Sequence, residues 1–143
     1  MASRVVVVFD DLPIVAERLH AAAAKLVRTA AINVEHRAKD FATASVDTGA
    51  NRAAIYTVTH TESGYAGAAA DAASLNPHAE MQSEEPRPEK DTSAVVHAGM
   101  NYAIYLEYGT VKMAAQPFMA PAAAAEQPNL QQALRKLAAE LSA

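Results

Sequence analysis

The first third of the chain changes its hydrophobic spacing once, from a short continuous run to a helical period. The run at 4–9, RVVVVF, is rich in β-branched residues and ends at two aspartates, which predicts a strand. From 12 to 42 the apolar residues recur every three or four positions, which predicts a long helix with Asp11 as its N-cap and Pro13 in its first turn. Its predicted core face comprises Val15, Leu19, Ala22, Leu26, Ala30, Val34, Ala38 and Phe41.

The middle of the chain alternates between turn signals and strand signals. The stretch 45–52, SVDTGANR, contains Gly49 and short polar side chains, and it predicts a turn. The next segment, 52–60, predicts a strand, 62–64 a hairpin turn, and 65–71, YAGAAAD, a weak return strand. Three prolines and many charges follow, and they predict a flexible loop over 72–91 with solvated carboxylates at Glu84, Glu85 and Glu89.

The last third of the chain predicts one strand and two helices. The strand covers 92–99, and the stretch 101–109, NYAIYLEYG, predicts a short helix that ends at Gly109. A C-terminal helix is predicted over 121–143, with a kink or two segments at Pro128 and a cap at Asn129. We therefore expect a single α+β domain over 1–143: a long N-terminal helix packed on a small, mostly antiparallel sheet, with a C-terminal helix.

Composition changes this picture in a few respects. Hydrophobic residues make up 51% of the chain but aromatic residues only 6%, so the core consists mainly of small side chains, which weakly favours an oligomer. The net charge of −4, from 12 basic and 16 acidic residues, offers no basic excess for tight nucleic-acid binding. Cysteine is absent, which excludes disulfides, thiolate zinc sites and cysteine nucleophiles. No apolar run approaches the about 20 residues of a transmembrane helix.

Few side chains are arranged for chemistry. The histidines show no metal-ligand spacing and the glycines match no phosphate-binding loop, so we predict no catalytic residue, no metal and no cofactor. Asp47, beside a glycine, is better explained as a turn residue. Glu107 is harder to explain, because it stands among Tyr105, Leu106 and Tyr108. A carboxylate in apolar company needs a partner, within the subunit or across an interface.

Two separated motifs carry a resemblance to a known family. The first is VDTGANR at 46–52, and the second is YAIYLEYGTVKMAAQPFMAPA at 102–122. In this order they resemble the patterns V-D-T-G-x-[LN]-R, Y-A-x-[YF]-[VL]-E-[YF]-G-T and M-x-A-x-P-F-[LM]-x-P-A of the tail-component, or neck, protein family of long-tailed bacteriophages. The motif positions that we assign to structure or interface are Asp47, Thr48, Gly49, Arg52, Tyr102, Tyr105, Glu107, Tyr108, Gly109, Thr110, Met113, Pro117, Phe118 and Pro121.

The resemblance implies a structural virion protein at the head–tail junction. Such a protein joins the portal side to the tail tube, as a neck or tail-terminator component, and leaves a channel for DNA. It is expected to form a homo-oligomeric ring, often sixfold, in contact with neighbouring connector and tail-tube proteins, after assembly in the host cytoplasm. No specific nucleic-acid binding and no membrane association are expected. Two positions depart from the family: Asn51 stands where leucine is common, and Gln116 where arginine is common.

Three alternatives remain open from the residues themselves. The aromatic and methionine side chains of the second motif have the composition of an interface, but in a chain so poor in large side chains they are equally suited to the core. A small hydrolase using Glu107 and a distant histidine would place both groups in a solvent-open cleft. A partner-binding regulatory protein would be a stable monomer or dimer that never enters a virion.

Overall fold

The computed structural model describes residues 5–9, 17–43 and 48–142, except the side chains of 7–9, 17–19 and 141–142. A three-stranded antiparallel sheet lies at the centre of the fold. The strands are β1 (Val5–Phe9), β2 (Ile55–Thr59) and β3 (Ala94–Ala98), in the order β1-β3-β2. The register aligns Val5 and Ile55 with Ala98. Every residue of β3 is buried, because β3 is paired on both edges and covered on both faces.

Five helices are described around the sheet: α1 (Glu17–Ala42), α2 (Ala50–Ala53), α3 (Tyr65–Leu75), α4 (Ala103–Tyr108) and α5 (Met119–Ser142). The long helix α1 packs on one face of the sheet, and α5 packs against α1 and β1. This arrangement confirms the predicted α+β fold with a long N-terminal helix and a C-terminal helix. The predicted N-cap Asp11 and Pro13 lie outside the described residues, as does Asp47.

The buried face of α1 differs from the predicted one by about one position. Its buried residues are Ala23, Val27, Ala30, Ala31, Val34, Ala38 and Ala42, whereas Ala22 and Leu26 are half-buried and Phe41 is 46% exposed. The predicted face was partly wrong because alanine occurs all round this helix, so hydropathy alone does not fix its orientation. Contacts with both the sheet and α5 decide which alanines are buried.

The predicted return strand over 65–71 is wrong, since these residues begin α3. The chain does turn back after β2, with Gly64 N–H donating to the Thr57 carbonyl at 2.9 Å, but the pairing stops there. Alanine favours a helix over a strand, and Ala68 and Ala72, four positions apart, pack one face of α3 on the core. The sequence also did not predict α2. Because α2 occupies Ala50–Ala53, β2 begins at Ile55 and not at residue 52 as predicted.

Because α3 extends to Leu75, the region predicted as a flexible loop begins with a helical turn. The remaining segment, residues 76–93, crosses the face of the sheet opposite α1, and we call it the strap. Gln82 N–H donates to the Gly99 carbonyl at 2.7 Å, and Arg87 donates to the Thr61 carbonyl at 2.9 Å. Glu85 is buried, contrary to the prediction of a solvated carboxylate, whereas Glu84 and Glu89 are exposed as predicted.

The helix α5 begins two residues earlier than predicted and continues through Pro128 as one helix. The prediction of an Asn129 cap is therefore wrong. Proline at 128 removes one backbone donor from the helix, and its side chain lies on the solvent side. Asn33 and Arg37 of α1 both contact the buried Glu126 carboxylate on the other side of α5, at 3.0 and 3.4 Å. These contacts keep α5 against α1 across the position of the proline.

Candidate functional site

Glu107 caps the first turn of α5 from a different helix. Its Oε2 accepts hydrogen bonds from the backbone N–H groups of Phe118 and Met119 at 2.8 and 3.0 Å, and its Oε1 accepts one from Ala120 at 2.8 Å. These N–H groups have no partner within the helix, and the next residue, Pro121, has no N–H at all. One carboxylate therefore satisfies every free donor of this turn. The first turn of α5 contains no acidic residue of its own, so Glu107 also supplies the negative charge that a helix N-terminus favours.

The short helix α4 positions Glu107 for this role. Ala103 and Glu107 are one turn apart and form its buried side, and Glu107 is only 4% exposed. The cost of burying this carboxylate is offset because three hydrogen bonds replace its hydration. The environment of Glu107 is thus the backbone of its own subunit, not a solvent-open cleft shared with a histidine.

Gly109 ends α4 and folds the chain back towards Glu107. Its φ of 76° is unfavourable for other residues, and a Cβ would approach the Ala115 nitrogen to 2.7 Å and the Met113 carbonyl oxygen to 2.9 Å. The following loop is closed by the Thr110 N–H, which donates to the Met113 carbonyl at 2.8 Å. Gln116 N–H then donates to the Leu106 carbonyl at 2.7 Å, which places the exposed Pro117 just before the capped turn.

The aromatic and methionine residues of the second motif divide into two groups. Phe118 and Met119 are fully buried in the core, and Met113 is half-buried. Tyr102, Tyr105 and Tyr108 are 38%, 56% and 71% exposed, and their spacing of three puts them on the outer side of α4. We call the surface formed by these three tyrosines the tyrosine face; the fully exposed Val111 lies beyond Gly109, in the loop after α4.

The first motif contacts a different helix terminus, the C-terminal end of α1. Gly49 has a φ of 84°, and the Thr48 hydroxyl accepts a hydrogen bond from Ala50 N–H at 3.2 Å, so the chain turns into α2. Arg52 then donates from Nε to the Lys39 carbonyl, in the last turn of α1, at 3.1 Å. A cation suits a helix C-terminus as an anion suits an N-terminus. Because α1 and α5 run antiparallel, the Arg52 and Glu107 contacts lie at the same end of the helix pair.

A buried polar cluster beneath the strap was missed by sequence reasoning. The Tyr56 hydroxyl accepts a hydrogen bond from Glu85 N–H at 3.0 Å and lies 2.9 Å from His97 Nδ1, and the Glu85 carboxylate is 3.8 Å from the same nitrogen. Burial raises the pKa of Tyr56 above 10.0, the Glu85 N–H partly offsets this, and the Glu85 carboxylate adds to it. Residues 56 and 97 are register partners on β2 and β3, which the sequence does not specify. All three side chains are buried, so the cluster holds the strap and offers no open site.

A cleft of about 220 Å³ with several polar side chains lies elsewhere, beside α1. It is lined in part by Lys25, Arg28, His60 and Asp91. Arg28 pairs with Glu62 at 2.6 Å, and Asp91 contacts His20, so most of these charges are compensated locally. Glu107 is not part of this cleft. Among the residues whose positions are described, no group of acidic, histidine or cysteine side chains is arranged to hold a metal ion.

No family model, curated protein or solved structure matches this chain. None of the helices in the described part of the chain is both long and apolar enough to cross a lipid bilayer.

Proposed function

We propose that this chain is a structural virion protein of a long-tailed bacteriophage that acts at the head–tail junction. The observation that carries the proposal is the tyrosine face, an exposed row of Tyr102, Tyr105 and Tyr108 along a helix anchored by Glu107. Tyrosine is enriched at protein interfaces, and a solvated helix face would ordinarily carry charges. The resemblance of the two motifs to neck proteins supplies the class of assembly.

The geometry around Glu107 explains how such a surface is kept rigid. Three backbone hydrogen bonds tie α4 to the start of α5, and Gly109 fixes the loop between them. A preformed aromatic surface loses little conformational freedom when a partner covers it, which favours assembly. On this interpretation Glu107 is a structural residue, and the chain needs no cofactor to act.

The proposal is tested in the phage whose genome encodes the chain. We expect mass spectrometry of purified particles to find a few copies of the chain per particle. We also expect electron microscopy of a nonsense mutant to show DNA-filled heads and separate, unattached tails. Particles that assemble normally without the chain would overturn the proposal.

A matched pair of substitutions tests the tyrosine face itself. Tyr105→Lys places a charge in the centre of that face and should abolish complementation of the nonsense mutant, because an unpaired buried charge is strongly unfavourable. Ala70→Lys adds the same charge on the exposed side of α3 and should complement normally. Equal complementation by both variants would show that the tyrosine face has no role in assembly. A folded, monomeric chain that is never found in particles would instead favour a partner-binding regulatory protein.

A further inference from the structure

A groove lies between the first half of α1 and the last third of α5, and the described residues leave it uncovered. It is a groove of about 370 Å³ whose floor is formed by half-buried apolar side chains and whose rim carries two lysines. Small residues at facing positions leave the depression between the helices. The floor comprises Ala22, Leu26, Ala133 and Leu137, and the two lysines of the rim are Lys25 and Lys136.

The chemistry of this groove favours an aromatic occupant. Within the described part of the chain, neither the Lys25 nor the Lys136 ammonium makes an ion pair. The two ammonium groups outnumber the Glu140 carboxylate at the rim, but the apolar floor does not suit a bare carboxylate, so the occupant needs an apolar body and an electron-rich part. A tyrosine ring meets both requirements, because its body is apolar and its face attracts an ammonium. Its hydroxyl can donate to Glu140.

The tyrosine face has the matching chemistry and lies at the opposite end of α5. It is adjacent to the capped turn at Met119, whereas the groove is centred near Lys136. At a rise of 1.5 Å per residue these points are about 25 Å apart along the helix. The tyrosines of one subunit are therefore too far away to fill the groove of the same subunit.

We propose that the tyrosine face of one copy of this chain docks into the α1–α5 groove of the next copy. Such a contact joins two different surfaces, so it is head-to-tail, and every added copy presents a free groove or a free face. Repetition gives a closed ring if the rotation between copies closes, and an open filament if it does not. This inference rests on the proposed function, since it names the partner of the tyrosine face.

The chain contains no cysteine, which allows a direct test by engineered disulfides. Tyr105→Cys places a thiol on the tyrosine face and Leu137→Cys places one in the groove. When the two single variants are mixed and mildly oxidised, we expect a mixed covalent dimer in clear excess over either homodimer. A chain carrying both substitutions should give a ladder of covalent multimers. Homodimers of Tyr105→Cys alone would overturn the proposal, because they indicate a symmetric contact.

Substitutions at the rim test the chemistry of the contact without altering the core. Lys136→Ala should weaken self-association, measured by light scattering, by about two- to fivefold through loss of the ammonium–ring attraction. Tyr105→Lys should weaken it more than tenfold, and adding Lys136→Glu in the same chain should restore part of the loss. The matched control Ala70→Lys should leave it unchanged. The absence of any rescue, or equal effects of Tyr105→Lys and Ala70→Lys, would contradict the assigned pair of surfaces.

The two proposals fail in different ways. A purified chain that stays monomeric at its highest soluble concentration, yet is present in virions, would overturn head-to-tail self-association and leave the head–tail function standing. The tyrosine face would then contact another virion protein. Conversely, specific covalent multimers from a chain that is never found in particles would support the contact and overturn the proposed function.

Discussion

At the scale of single residues, Glu107 shows how one side chain connects sequence and architecture. Its sequence neighbours are mostly apolar, yet among the described residues its oxygens accept hydrogen bonds from the backbone of 118–120 alone. Gly109 is equally specific, since no other residue fits its φ and the close approach of Ala115 and Met113. These positions explain why glutamate, glycine and the Pro-Phe pair occur together in the second motif.

Replacing Glu107 should therefore cost stability. Glu107→Gln keeps the shape, but it replaces one acceptor oxygen with an NH₂ group that faces N–H donors. We expect a decrease in the free energy of unfolding of roughly 1–3 kcal/mol, measured by urea denaturation. The exposed Glu89→Gln should change it by less than about 0.5 kcal/mol. Equal stability of the two variants would contradict the capping role.

Asn51 is a second residue whose environment makes a clear prediction. It is buried, and its amide oxygen and nitrogen have no hydrogen-bond partner among the described residues. Asn51→Leu removes both polar atoms at nearly constant shape and should raise the free energy of unfolding by about 1 kcal/mol. The exposed Asn101→Leu serves as the control and should have little effect. A loss of stability in Asn51→Leu would indicate that the amide is bonded in solution.

At the scale of elements, the strap is attached to the sheet through Tyr56. The Tyr56 hydroxyl accepts from Glu85 N–H, and its ring packs edge-on against Tyr65 of α3 at 5.5 Å between centroids. The predicted flexible loop thus contains a segment with defined partners on β2. Which of its carboxylates is buried depends on this attachment and not on the local charge pattern.

The raised pKa of Tyr56 predicts how stability responds to alkali. Burial disfavours the phenolate in the folded chain but not in the unfolded chain, whose tyrosine titrates near 10.0. The resulting stabilisation is complete below that pH and is lost as the pH rises through the folded-state pKa. In an absorbance titration of tyrosinate, Tyr56→Phe should remove a late component, one that titrates above 10.0. Loss of an early component in Tyr56→Phe would contradict the burial effect.

At the scale of the whole molecule, α1 and α5 form an antiparallel pair whose two ends present different surfaces. At one end Arg52 and Glu107 satisfy the termini of α1 and α5, and the tyrosine face projects beside the capped turn. At the other end small residues at facing positions leave the groove. The subunit therefore carries two unlike surfaces on a rigid axis, which is the requirement for head-to-tail assembly.

The sequence alone determined the α+β class, most strands, the two long helices and the motif around Glu107, because these depend on local periodicity and on glycine and proline chemistry. It did not determine the orientation of α1, since alanine gives little contrast between faces. It also did not indicate that YAGAAAD is helical, that Glu85 is buried beneath Tyr56, or which aromatics of the second motif face solvent. The tertiary structure decided these points, because each depends on contacts between residues far apart in the chain.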